Sequence, residues 1–132
     1  MSASFVTAPR RMLLVEDDAR IRTVLALLLQ PYFKVQEAID GASAEFWFAR
    51  RRFDVAFVDY TLPDTNGINL LSRMRAANPA VRRVITSGSL LPELSPLSGD
   101  GLIHSFVLKP ASIGEIVWAC GGVTKRRDRL TL

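Results

Sequence analysis

The stretch LLVEDDAR, residues 13–20, runs from apolar Leu13, Leu14 and Val15 straight into Glu16, Asp17 and Asp18. Adjacent carboxylates repel, so the three acids either fan out into water or share something positive. A second, largely apolar stretch, residues 53–58 with Asp54 its one charge, ends at Asp59, and a third, residues 103–108 with His104 and Ser105 inside it, ends at Lys109. The hydroxyls of Thr86 and Ser87 follow a fourth. Carboxylates gathered with these groups would suit a hard divalent cation. Mg²⁺ accepts one or two carboxylates and completes its shell with water and phosphate oxygens. A lysine beside it supplies a point charge for a phosphoryl group.

Whether these side chains converge depends on the elements that carry them. Residues 11–15 read as a strand, apolar on both faces. Asp18 caps a helix over 19–30, with Ile21, Leu25, Leu28 and Leu29 at helical spacing, closed by Pro31. Residues 33–39 alternate as a strand, Asp40-Gly41 turns, and 42–52 form a second helix in which Phe46, Trp47 and Phe48 are divided between packing and surface. A strand over 53–58 leads through a loop with Pro63, Asn66 and Gly67 into a helix over 68–78, stopped by Pro79. Strands over 81–86 and 103–108 flank a weak segment whose Pro92 and Pro96 permit one helical turn and not a full helix. A last helix runs over 112–119 before Gly121-Gly122. Apolar strands alternating with amphipathic helices predict an α/β fold, a doubly wound parallel sheet covered on both faces. Sites in such sheets lie outside the carboxyl ends of the strands, where every residue singled out above would stand.

Length and composition narrow the classes. A chain of 132 residues suits one domain. The expected division is an extension over 1–10, the domain over 11–122, and a basic tail or linker stump over 123–132. The net charge is +4, from 17 basic and 13 acidic residues. The excess is scattered among Arg10-Arg11, Arg50-Arg51-Arg52, Arg82-Arg83 and Lys125-Arg126-Arg127. No single basic stripe is visible, and nucleic acid is not the expected partner of this domain alone. Cys120 has no cysteine to pair with and reads as a small buried residue, which fits a reducing compartment. No apolar run is long enough to span a membrane and no secretory h-region opens the chain, so the cytoplasm is the expected location. His104, the one histidine, reads as a surface residue.

Four pieces in order, VEDD at 15–18, DYTLPDTNG at 59–67, TSG at 86–88 and FVLKP at 106–110, resemble the receiver domain of two-component response regulators. The resemblance covers roughly residues 11–122. It implies a flavodoxin-like five-stranded sheet in the order 2-1-3-4-5. It assigns Asp59 as phosphoacceptor, with Mg²⁺ held by Glu16, Asp17, Asp59 and the backbone carbonyl of Thr61. It has Lys109 pairing first with Asp59 and then with a phosphoryl oxygen, and Ser87 donating its hydroxyl to another. Ser87 is preferred to Thr86 because the family pattern is a hydroxyl followed by a small residue, here Gly88. Phe106 would rotate inward behind Ser87, and the Lys109–Pro110 peptide would be cis. Such a domain is a switch more than an enzyme, supporting only its own phosphorylation and slow dephosphorylation. Its implied partners are a sensor histidine kinase or histidine phosphotransfer protein and an output protein or effector domain, with a homodimer left open. The departure from the family is the fourth helix, expected to be short or irregular. The competing reading is a Mg²⁺-dependent phosphatase of the haloacid dehalogenase type, which needs a second Asp two residues past the nucleophile, where Thr61 stands.

Overall fold

The structure, a computed structural model, describes residues 10–96 and 99–122; the expected lead-in up to residue 9 and the tail over 123–132 lie outside the described residues. The elements are β1 (Arg10–Val15), α1 (Ala19–Leu29), β2 (Phe33–Ala38), α2 (Gly41–Arg50), β3 (Val55–Asp59), α3 (Gly67–Ala77), β4 (Arg82–Ser87), a 3-10 turn (Pro92–Leu94), β5 (Ser105–Leu108) and α4 (Ile113–Ala119). The five strands form one parallel sheet in the order β2-β1-β3-β4-β5.

Alternation along the strands sorts the core into two layers. Met12 and Leu14 of β1 and Phe57 of β3 point to one side, where Leu25 and Leu29 of α1 and Ile113, Ile116 and Val117 of α4 cover them. Leu13, Val15, Ala56, Val58 and Ile85 point to the other, under Ala44 of α2 and Leu70, Leu71 and Met74 of α3. Both faces of β1 and β3 are thereby dry, which is why those strands read as continuous apolar runs.

The helices start on side-chain caps. Asp18 accepts from the backbone N–H groups of Arg20 and Ile21, as expected. Asp40 and Ser112 each close a capping box, with Ser43 and Glu115. Asn66 caps α3, so Gly67 is a helical residue and not part of the turn. A Cβ there would lie 2.7 Å from the carbonyl oxygen of Asp59. The absent side chain is what lets α3 start against the end of β3.

Several boundaries differ from expectation. Arg10 is the first residue of β1 and not the end of an extension. Residues 53 and 54 precede β3, because the Asp54 carboxylate turns back to accept the Arg11 N–H at 2.8 Å. β5 starts at Ser105, two residues late. Of the apolar positions in α1 only Leu25 and Leu29 are buried, while Ile21 is 39% exposed. The expected irregular fourth helix is reduced to one 3-10 turn with Pro92 at its start, pinned by fully buried Leu94.

Candidate functional site

In a parallel sheet the register decides whether residues at strand ends meet. Val15 pairs with Ala38 on one side and Val58 on the other, Asp59 with Thr86, and Ser87 with Leu108. The residues that follow β1, β3, β4 and β5 therefore emerge level with one another at the carboxyl edge.

The acids do converge. One carboxylate oxygen from each of Glu16, Asp17 and Asp59 lies within 4.8 Å of the others. Glu16 and Asp59 are buried and Asp17 is exposed, so the cluster opens to solvent on the Asp17 side. Lys109 reaches over from β5 and its Nζ donates to Asp59 Oδ2 at 2.6 Å and to Glu16 Oε1 at 3.1 Å. One ammonium thus serves two buried carboxylates, with a third beside them.

The electrostatics register that shortfall. Burial pushes the Glu16 carboxyl up to about 7, the nearby charge of Asp59 adds to the rise, and the Asp18 N–H and Lys109 oppose it. Burial works against the Lys109 ammonium, but its bond to Asp59 and the charges of Asp59 and Glu16 outweigh it, and its pKa is raised. A divalent cation with oxygen ligands would compensate this set, and the donor chemistry fits Mg²⁺.

The surrounding side chains hold the cluster in place. Asp59 Oδ1 accepts the Thr61 N–H at 3.1 Å, orienting the carboxylate from its own loop. Thr86 commits its hydroxyl to the Val107 carbonyl at 2.8 Å, fastening β4 to β5. Ser87 ends β4, buried, with its Oγ accepting the Ser89 N–H at 3.1 Å. Phe106 is half-buried beside the second core layer. The Lys109–Pro110 peptide is cis.

Three contributors escaped the sequence reading. Arg22 donates to the Glu16 carbonyl at 2.8 Å and also reaches Glu37, tying the acidic loop to α1 and β2. Asp18, read only as a cap, also donates its N–H to Glu16 Oε2 at 3.1 Å. Asp64 accepts from the N–H groups of Gly41 and Ala42, tying the loop after β3 to the start of α2. The first and third join residues distant in sequence, and no local signal marks them. Next to the cluster an apolar cleft of ≈ 640 Å³ runs between α1 and α4, with Ile21, Val24, Thr86, Lys109, Pro110 and Ile116 among its walls.

Comparison with known proteins agrees with this geometry. Residues 12–120 match the response regulator receiver domain family. Among curated proteins the chain is 28% identical over 127 residues to the probable transcriptional regulatory protein TcrX of Mycobacterium tuberculosis, covering 94% of this chain and 53% of that one. It is 37% identical over 107 residues to the alginate biosynthesis transcriptional regulatory protein AlgB of Pseudomonas putida, covering 80% of this chain and 24% of that one. The chain thus spans about half the length of one relative and a quarter of the other. Among solved structures, the CheY-like receiver domain protein of Methanospirillum hungatei superposes with a TM-score of 0.77 at 22% identity, over 84% of this chain and 90% of that one. The response regulator TrrA of Thermotoga maritima, solved in complex with Mg²⁺ and BeF, gives 0.71 at 19% identity, over 81% and 92%. At such identities these two likenesses speak for the fold.

Proposed function

The chain belongs to the response regulator receiver domains of two-component systems, and on that footing we propose that it is a Mg²⁺-dependent phosphorylation switch whose acceptor is Asp59. The observation that carries this reading is the buried Asp59 carboxylate at a strand end, 2.6 Å from Lys109 and beside two further acids. In the transfer, an Asp59 oxygen attacks phosphorus. The bond from phosphorus to the donor's histidine nitrogen breaks, and that nitrogen leaves with the electron pair.

Each neighbour has a task. Glu16, Asp17, Asp59 and the Thr61 carbonyl would hold Mg²⁺, which supplies charge neutralisation for the phosphoryl oxygens. Lys109 releases Asp59 Oδ2 and takes up a phosphoryl oxygen instead. Ser87 turns its hydroxyl from the Ser89 N–H to a second phosphoryl oxygen, and Phe106 follows into the space behind. The backbone N–H of Thr61 keeps Asp59 Oδ1 aimed while the other oxygen reacts. The domain hydrolyses its own acyl phosphate slowly and otherwise performs no chemistry on a separate substrate.

A phosphorylated histidine kinase or phosphotransfer protein is the donor, and the apolar cleft between α1 and α4 opens beside Lys109 for its approach. Output passes by protein contact to a partner or effector domain, in the cytoplasm. The phosphatase alternative lacks its second acid, since Thr61 occupies that position and spends its N–H on Asp59.

The test is incubation with acetyl phosphate or beryllofluoride and Mg²⁺, followed by intact-mass and fluorescence measurement. An adduct that requires Mg²⁺ and is absent from Asp59→Asn is expected. An adduct that persists in that variant, or none at all with Mg²⁺ present, overturns the proposal.

A further inference from the structure

At the opposite end of the sheet lies a feature the aspartate switch does not use. Arg11 is level with Lys34 in the β1–β2 register, at the amino edge. Asp54, the last residue of the α2–β3 connection, donates its N–H to the Arg11 carbonyl at 2.9 Å. That contact brings Arg50, Arg51 and Arg52 to the same edge. Two runs of basic residues and a lysine, separated in sequence, are thus joined at one corner of the fold. Arg50, Arg51, Arg52 and Lys34 are exposed and Arg11 is half-buried. Among the described residues no carboxylate forms an ion pair with any of the five; the ion pairs belong to Arg20, Arg22, Arg73, Arg75 and Lys109. Asp54 spends one oxygen on the Arg11 backbone N–H.

Two of these arginines are also held against rings. The Arg50 guanidinium lies 3.6 Å from the Phe46 ring centre, with one Nη donating to the Phe46 carbonyl at 2.9 Å. Arg51 lies 5.3 Å from the Trp47 ring centre. A guanidinium stacked on a ring keeps its remaining N–H edge free and loses less freedom when it binds an anion. That edge matches a phosphodiester oxygen pair. Five cations gathered with one carboxylate, Asp54, and the preference for arginine among them favour a phosphate backbone over a lipid surface.

We propose that this amino-edge corner, built on Arg50, Arg51 and Arg52 with Arg11 and Lys34, contacts the phosphate backbone of duplex nucleic acid without reading its sequence. The contact lies at the far edge from Asp59 and is independent of the switch reading.

The test is fluorescence anisotropy of the full chain with a labelled duplex of about 20 base pairs at several salt concentrations. The expected dependence of log K on log salt has a slope of about −3 to −4, because each neutralised phosphate contributes about −0.9. The triple variant Arg50→Gln, Arg51→Gln, Arg52→Gln is expected to bind at least about tenfold more weakly at low salt, with a slope shallower by about 2 to 3. The double variant Arg11→Gln, Lys34→Gln, which leaves α2 untouched, shows a smaller loss in the same direction. Arg20→Gln, one charge fewer at the acidic edge, binds as the parent does, and so does Asp59→Asn. A chain that binds no duplex at low salt overturns the proposal. So does a chain that binds phosphatidylglycerol vesicles and not the duplex, or one whose binding is lost on neutralising Lys125, Arg126 and Arg127 and kept in the arginine triple variant.

Discussion

At the scale of single residues the acidic edge is a charge problem, two buried carboxylates and an exposed one around a single ammonium. Removing that ammonium should therefore help a competing cation. Lys109→Ala is expected to tighten Mg²⁺ binding by roughly three- to tenfold, the scale of a partly exposed charge interaction of about 1 kcal/mol, while lowering the yield of the Asp59 adduct. Calorimetric titration with Mg²⁺ reads the first and mass measurement the second; weaker Mg²⁺ binding in the variant would contradict it. Glu16 gives a pH signature. Its folded carboxyl titrates at about 7 against 4.5 for the free group, so between these values the folded protein holds the proton and the unfolded chain does not. Stability from this group is present below pH 4.5 and lost as pH rises through 7. In metal-free buffer Glu16→Gln should flatten that fall in thermal melts, and Mg²⁺ should raise the parent's melting temperature more at pH 8 than at pH 5.5.

At the scale of elements, the connection into β5 is held by one arginine and one histidine. Arg83 is buried and donates to the carbonyls of Leu102, Pro79 and Val81, while its own N–H donates to His104 Nδ1 at 2.8 Å. That bond needs a lone pair on Nδ1, so the imidazole must be neutral there. Burial, then the charges of Arg83 and Arg82, hold the His104 pKa below its usual value. The sign is opposite in its consequence to that of Glu16. The contribution is complete above pH 6.5 and is lost as pH falls below it. Amide exchange of residues 102–105 should accelerate on acidification below pH 6.5. His104→Asn, whose side-chain oxygen can accept the same N–H, should remove that pH dependence; an unchanged dependence would exclude the histidine as its source. Caps act at the same scale. Ser112→Ala removes one half of the capping box of the short helix α4 and should cost about 1 kcal/mol in denaturant unfolding.

At the scale of the whole molecule the sheet separates two apolar layers. Leu14 lies in the layer under α1 and α4, and Ile85 in the layer under α2 and α3. Each Ala substitution should cost about 2–5 kcal/mol, and the double variant should equal their sum within about 0.5 kcal/mol, because the two side chains sit in separate layers on opposite faces of the sheet. A large coupling would mean that the layers are not independent. The sheet also fixes a polarity of charge, with Glu16, Asp17 and Asp59 at the carboxyl edge and, at the other, arginines that form no ion pair among the described residues. It is this arrangement that turns scattered basic pairs into a surface.

The strand–helix alternation, the parallel sheet and the identity of Glu16, Asp17, Asp59 and Lys109 as one set were all written in the linear sequence. Hydrophobic period, caps and prolines are local signals, and in a parallel sheet the residues after successive strands share an edge whatever the details between them. The weakness of the segment after Ser87 was legible for the same reason, since Pro92 acts on its own neighbours. What no window of sequence contained was the pairing of side chains across elements. The assignment of the Thr86 hydroxyl to the Val107 carbonyl, the hold of Arg22 on the acidic loop, and the lone pair of His104 facing Arg83 all depend on register and rotamer. The same holds for the basic corner, whose runs read as unrelated until β1, β2 and the α2–β3 connection are laid side by side. Charges act through space and not along the chain, so their partners, and the surfaces they leave unpaired, are decided only when the strands take their places.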